Sequence, residues 1–287
     1  MRLAWKDFVP ASLGVAELGD ADGCKPGDVN LIAFGKSWNF TTKHEQPKLA
    51  FSVDDLRLTS GVRPDRPRVK IDACQAVSTV AARMKAHQSV TLLALGDSIT
   101  WGTSAGGNAN AYPVLLGQML KKHYGYDGVT VVSAAIGGST TSKGRQWLHR
   151  DVRGIEADLV TVMFGYNEKT TMPEEREMRT KSFLANLVLY LEEVGGVMKR
   201  PPACVVLATI PGNGEHWETL DCYAEGVRAL GKAHPNLTVA DVNGHFKQMG
   251  FDRFKTLMAD GAHPHVQGQR EMAKVVFEAI TGGKTPE

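Results

Sequence analysis

The stretch Val90-Thr91-Leu92-Leu93-Ala94-Leu95-Gly96-Asp97-Ser98-Ile99-Thr100 runs from a short apolar segment straight into a polar turn. An apolar run of this length, ended abruptly by Gly-Asp-Ser, reads as a buried strand closing on a tight turn. Toward the C-terminus the theme repeats. Residues 129–135, 159–164, 205–210 and 237–242 are further apolar runs, and amphipathic stretches at 112–124, 174–194, 220–234 and 266–280 carry helical spacing. Strands that are apolar throughout and separated by long helices imply a parallel sheet covered on both faces. With right-handed crossovers this gives an α/β fold, a three-layer α/β/α sandwich on five parallel strands. Ligands of such sheets bind beyond the carboxyl ends of the strands, so the chemistry is expected just after the apolar runs.

Before residue 88 the pattern differs. Residues 28–34 and 48–58 read as strands, 61–67 as a linker with Pro64 and Pro67, and 76–86 as a helix with Val77, Val80, Ala81 and Met84 on one face. The expected organisation is a small β-rich N-terminal segment, residues 1–67, followed by an α/β domain, residues 68–287.

The totals narrow the function classes. In 287 residues, 33 Lys plus Arg nearly balance 31 Asp plus Glu, which argues against a large nucleic-acid surface. No apolar stretch is long enough to span a bilayer, and Met1-Arg2-Leu3-Ala4-Trp5-Lys6-Asp7 lacks an apolar signal core. Taken literally the chain is cytoplasmic, whereas a processed or truncated N-terminus would leave a secreted or periplasmic location open. Cys24, Cys74, Cys204 and Cys222 form no C-x-x-C pair, so free thiols are expected over zinc or disulfides. A neutral or modestly polar small-molecule substrate fits this profile; oligomeric state is not readable.

Ser98 lies on the turn after the first run, where its hydroxyl would be exposed but in need of a base. Asp260-Gly261-Ala262-His263 offers one, because Asp and His three residues apart on a turn can face the same way. The carboxylate then fixes the imidazole tautomer. Backbone donors from Ile136-Gly137-Gly138 and the side-chain amide of Asn167 follow the second and third runs, where an oxyanion would need them. Alone, the Gly-Asp-Ser, glycine and Asn167 segments read more readily as ordinary turns or loops, and Asp260 to His263 reads equally well as a helix-capping loop; the case rests on their combination.

That combination, Gly96-Asp97-Ser98-Ile99-Thr100, Ile136-Gly137-Gly138, Gly165-Tyr166-Asn167-Glu168 and Asp260-x-x-His263, resembles the four sequence blocks of the SGNH (GDSL-like) hydrolases, in the family's order. The resemblance covers about residues 88–281. It implies a flavodoxin-like hydrolase fold, with Ser98 as nucleophile, His263 as base and then acid, and Asp260 as its partner. It further implies an oxyanion hole of Ser98 N–H, Gly138 N–H and Asn167, with no metal or cofactor. Two positions depart from the pattern: Ser133 stands where the family often has Asn, and Glu168 where it commonly has Asp. Residues 50–58 are similar to the last strand of carbohydrate-binding β-sandwiches, which points to deacetylation of a polysaccharide or oligosaccharide. The alternatives are a lipid or short-chain acyl esterase, and a non-catalytic carbohydrate-binding protein on the same scaffold.

Asp97, Trp101, Tyr166, His216 and Trp217 are candidate substrate contacts by position. A literal G-x-S-x-G at Gly102-Thr103-Ser104-Ala105-Gly106 lacks the preceding strand a nucleophile elbow needs, so Ser104 is expected in a loop near the pocket. Asp241 is a weaker rival to Asp260, and His265 is expected at the surface or pocket rim.

Overall fold

The computed structural model describes residues 67–283 apart from Arg153 and Thr171. The strands expected at 28–34 and 48–58 lie outside the described residues, as does nearly all of the linker.

Five strands, β1 (Val90–Gly96), β2 (Val129–Ser133), β3 (Leu159–Met163), β4 (Ala203–Leu207) and β5 (Leu237–Ala240), form one sheet. Their order is β2-β1-β3-β4-β5, and every neighbouring pair is parallel. Central strands β3 and β4 are buried at every position, which explains their lack of polar alternation. Edge strands β2 and β5 are only partly buried.

The helices are α1 (Val77–Lys85), α2 (Ser98–Trp101), α3 (Tyr112–Tyr124), α4 (Thr141–Asp151), α5 (Arg176–Val197), α6 (Asp221–Ala233), α7 (Val242–Met249), α8 (Phe251–Lys255) and α9 (Val266–Thr281). Helices α1, α3 and α7 pack with α9, and α4 and α6 pack with α5, forming the two outer layers. Among the described residues no helix is long and apolar enough to cross a membrane.

The sequence reading missed α4. Its inward face carries charge, so apolar periodicity is weak. Arg145, 1% exposed, donates to Glu193 of α5 from Nη2 at 2.8 Å and from Nε at 3.3 Å, and its Nη1 donates to Asn186 at 2.9 Å. A buried ion pair thus replaces the hydrophobic stripe that periodicity would detect. Strand β4 was expected at 205–210 but ends at Leu207. Ala208 and Ile210 are apolar because they are buried beyond the ladder, not because they extend it.

The chain leaves β1, adds β2 on one side, and returns to place β3 on the other. The carboxyl ends of β1 and β3 therefore flank a switch in strand order, the place where ligands of such sheets bind.

Candidate active site

Ser98 is the first residue of α2, directly after β1. The turn depends on Gly96: a Cβ there would run into Thr100 Oγ1 and come within 2.6 Å of the Met163 carbonyl. Asp97 is the N-cap of α2, its Oδ1 accepting from Ile99 N at 2.9 Å. The far end of this short helix is tied to α9. Gln269, fully buried, donates from Nε2 to the Ile99 carbonyl and accepts at Oε1 from Tyr112 N, both at 2.9 Å. A glutamine among apolar helix positions gave no sequence signal for this role.

His263 reaches the same place from the loop before α9. Its Nε2 lies 2.9 Å from Ser98 Oγ, and its Nδ1 lies 3.0 and 3.1 Å from the two Asp260 oxygens. A carboxylate only accepts, so the proton sits on Nδ1 and Nε2 is left to accept from the serine hydroxyl. Burial by itself would raise the Asp260 pKa. Donors from Ala262 N, His263 N, the Ser104 hydroxyl and the His263 ring outweigh it and hold the carboxyl at about 2. Asp260 is thus a carboxylate at any ordinary pH.

Asn167 ties the segment after β3 to the turn that carries Ser98 and to the glycine turn after β2. Gly138 is exposed with φ +71°, a backbone that suits glycine. Asn167 Nδ2 donates to Asp97 Oδ2 at 3.2 Å and to the Ser139 carbonyl at 3.0 Å. Two acceptors on one side settle which end of the amide is nitrogen. Asp97 has no exposure, and burial, with a smaller push from the nearby Glu168 charge, raises its pKa to about 7 against the pull of backbone donors.

Glu168, where the block commonly carries Asp, braces this loop. Its Oε1 accepts from Thr141 N at 2.6 Å and from the Thr141 hydroxyl, and its Oε2 accepts from Gly165 N at 3.0 Å. The Tyr223 hydroxyl donates to its carbonyl at 2.9 Å. The glutamate therefore joins the segment after β3 to the start of α4. Ser133, the other departure, has a buried hydroxyl with no hydrogen-bond partner among the described residues.

The expected substrate contacts separate into groups. Asp97 and Tyr166, at 0% and 4% exposure, have little surface to offer a ligand. The Tyr166 hydroxyl donates to the Gly261 carbonyl at 2.9 Å, linking the Asn167 segment to the Asp260 turn, and burial pushes its pKa up to about 12. Trp217 packs on Phe251 and Phe254, with ring centroids 5.3 and 5.2 Å away, and Lys247 Nζ sits 4.3 Å from its ring centre. That is a packing position. Trp101 and His216 are half-buried. The loop holding His216 approaches the site through Asn213, whose Nδ2 donates to the Asp260 carbonyl at 3.4 Å.

Asp241 is engaged elsewhere, accepting from Arg228 at 2.9 Å on each oxygen and capping α7 through Gly244 N. His265 caps α9: its Nδ1 accepts from Gln267 N at 3.0 Å, so Nε2 donates to the Thr256 carbonyl at 2.7 Å. Ser104 is exposed on its loop, as expected, but is joined to the site through Asp260.

The model of the GDSL-like lipase/acylhydrolase family matches residues 94–271, which takes in all of these segments. The chain belongs to that family. Its members are acylhydrolases, and the chain is an ester hydrolase of this serine-dependent kind. The fold is similar to that of a catalytic mutant of an acetylxylan esterase from Geobacillus stearothermophilus, with TM-score 0.57, 21% identity, and coverage of 69% of this chain and 96% of that one. It is also similar to a lipase/acylhydrolase from Enterococcus faecalis, with TM-score 0.54, 21% identity, and coverage of 69% and 98%. In sequence the chain is 31% identical over 87 residues to an uncharacterized lipoprotein, YqeF, of Bacillus subtilis strain 168. That match spans 30% of this chain and 36% of the lipoprotein.

Proposed function

We propose that the chain hydrolyses short-chain carboxylic esters, acetyl esters of a polysaccharide or oligosaccharide above all, through a Ser98–His263–Asp260 triad. The observation that carries this is the continuous relay from Ser98 Oγ to His263 Nε2 at 2.9 Å and from Nδ1 to Asp260 Oδ2 at 3.0 Å, set at the switch in strand order.

In the first step Ser98 Oγ attacks the ester carbonyl carbon as its proton passes to His263 Nε2. The carbonyl oxygen becomes an oxyanion beside Ser98 N–H, Gly138 N–H and Asn167 Nδ2, whose hydrogen on the Ser139 carbonyl turns to the oxyanion while the other stays on Asp97. As the first N–H of α2, that of Ser98 has no intrahelical acceptor. The imidazolium is stabilised by the ionised Asp260, and its proton leaves with the alcohol as the tetrahedral adduct collapses. Water then attacks the acyl-serine by the same route, delivering its proton to His263 and releasing acid and free serine. Every group named belongs to this chain.

The acetyl and carbohydrate preference draws on the likeness to the acetylxylan esterase and on the similarity of residues 50–58 to a carbohydrate-module strand. The test is hydrolysis of 4-nitrophenyl acetate against the octanoate, followed by acetate release from acetylated xylan. The expected result is higher kcat/KM on acetate, with release from xylan abolished in Ser98→Ala. Preference for octanoate would replace the carbohydrate reading with a lipid one, and parental rates in Ser98→Ala would remove the triad.

A further inference from the structure

The loop at 102–107 carries the G-x-S-x-G pattern, and the reaction above gives it no part. Its backbone is unusual. Gly102, Ser104, Gly106 and Gly107 all have positive φ, and Ser104, at +64°, is one of two non-glycine residues with positive φ among those described. The left-handed region disfavours a serine relative to glycine. Loop geometry alone would therefore be served better by a fourth glycine, and what serine adds is a hydroxyl.

That hydroxyl has a specific target. Ser104 Oγ donates to Asp260 Oδ2 at 2.8 Å, across 156 positions of sequence. The same oxygen lies 3.0 Å from His263 Nδ1. Asp260 Oδ1 is held differently, by Ala262 N at 2.7 Å and His263 N at 2.8 Å, both from its own turn. Those two donors fix one oxygen. The imidazole Nδ1 lies nearly as close to that oxygen, at 3.1 Å, as to Oδ2, at 3.0 Å, and Oδ2 has Ser104 as its partner from outside the turn. The Asp260 side chain is 45% exposed, so without that partner water would compete for Oδ2 and the carboxylate would be freer to rotate. The groups facing Asp260 are His263 from its own turn, Ser104 from the loop after α2, and the Tyr166 phenol, which senses its charge.

We propose that Ser104 is a positioning residue of the hydrolytic site, its hydroxyl holding the Asp260 carboxylate in line with His263 Nδ1. The loop follows directly from the helix that begins with Ser98, so one chain segment carries the nucleophile and also steadies the partner of its base. This inference rests on the triad reading above.

The experiment compares Ser104→Gly and Ser104→Ala on 4-nitrophenyl acetate, with Ser98→Ala, Asp260→Ala and the double variant Ser104→Gly/Asp260→Ala alongside. Glycine removes the hydroxyl while easing the backbone; alanine removes it and keeps the backbone demand. If the hydroxyl is what matters, both lower kcat by a similar factor, roughly three- to thirtyfold, with KM little changed. Ser104→Gly should then add nothing in the Asp260→Ala background, because its effect passes through that carboxylate. Parental kcat in Ser104→Gly, or a full further loss in the double variant, overturns the proposal. The failure modes stay apart: parental activity in Ser98→Ala removes the triad itself, whereas an inactive Ser98→Ala beside a fully active Ser104→Gly removes only the role of Ser104.

Discussion

Asp97 and Asn167 are joined by a 3.2 Å hydrogen bond from the amide nitrogen to a carboxylate that has no solvent exposure. The other oxygen of that carboxylate caps the helix bearing Ser98. One buried group therefore sets both the turn that carries Ser98, the proposed nucleophile, and the Asn167 amide proposed to meet the oxyanion.

Asp97→Asn keeps one acceptor for Ile99 N but turns an NH₂ toward the NH₂ of Asn167. Two donors then face each other, and Asn167 must move. The expected outcome is a loss of about 10- to 100-fold in kcat, with a smaller change in KM, since one oxyanion donor is misplaced rather than removed. Steady-state kinetics on 4-nitrophenyl acetate check this, and a kcat within twofold of the parent would refute it.

The same variant carries a prediction for stability against pH. Burial raises the Asp97 pKa to about 7 from an ordinary value of about 3.9. Between those values the folded protein binds more protons than the unfolded chain, so this group's contribution falls as pH rises from about 4 to 7 and is level above. The full change is on the order of 4 kcal/mol. Urea unfolding at pH 4.5 and 7 should show a less negative dependence on pH in Asp97→Asn; identical slopes would contradict the burial argument.

Removing the amide altogether is more damaging. Asn167→Ala deletes one proposed oxyanion donor and should lower kcat by roughly 10²–10³. It also leaves Asp97 Oδ2 and the Ser139 carbonyl without this partner. A loss below tenfold would mean that the amide serves the loop and not the transition state.

Asp260→Asn should be severe for a different reason. An amide nitrogen toward the ring stabilises the wrong imidazole tautomer, so Nε2 no longer accepts from Ser98. A fall in kcat of about 10³–10⁴ is expected without unfolding. Circular dichroism and kinetics on the same preparation check both halves, and substantial retained activity would reassign the orienting residue.

Gln269→Leu tests the anchor between α2, α3 and α9. It strands the Ile99 carbonyl and Tyr112 N–H in a dry interior, and each unsatisfied group costs about 1–3 kcal/mol. A drop of roughly 2–5 kcal/mol in unfolding free energy is expected, along with reduced kcat as the Ser98 helix loosens. Parental stability would show that Leu packs there without loss.

The sheet was legible because buried parallel strands leave a strong local mark. Val90 to Leu95 and Leu159 to Met163 are apolar at nearly every position since both faces are covered. Helix α4 left no such mark, because its inward position is filled by Arg145 paired with Glu193, and a charge at a core position erases the periodicity. Asp97 and Tyr166 were read as substrate contacts from their place in the motifs. Residue type says nothing about which way a side chain turns, and the packing turned both inward.

Local chemistry in the sequence determined which groups stand at strand ends: a serine on a Gly-Asp-Ser turn, a glycine turn, an asparagine, and an Asp and His three residues apart. Their meeting was decided by the tertiary structure. Ser98 and His263 are 165 positions apart, Ile99 and Gln269 are 170, and Ser104 and Asp260 are 156. Periodicity and turn propensity act over a few residues, whereas these contacts exist only once the strand order has brought the ends of β1 and β3 beside the loop before α9. Ser104 shows the difference most clearly. Its motif lacks the strand a nucleophile elbow needs and read as a loop near the pocket, and the fold put its hydroxyl on Asp260, the proposed partner of His263.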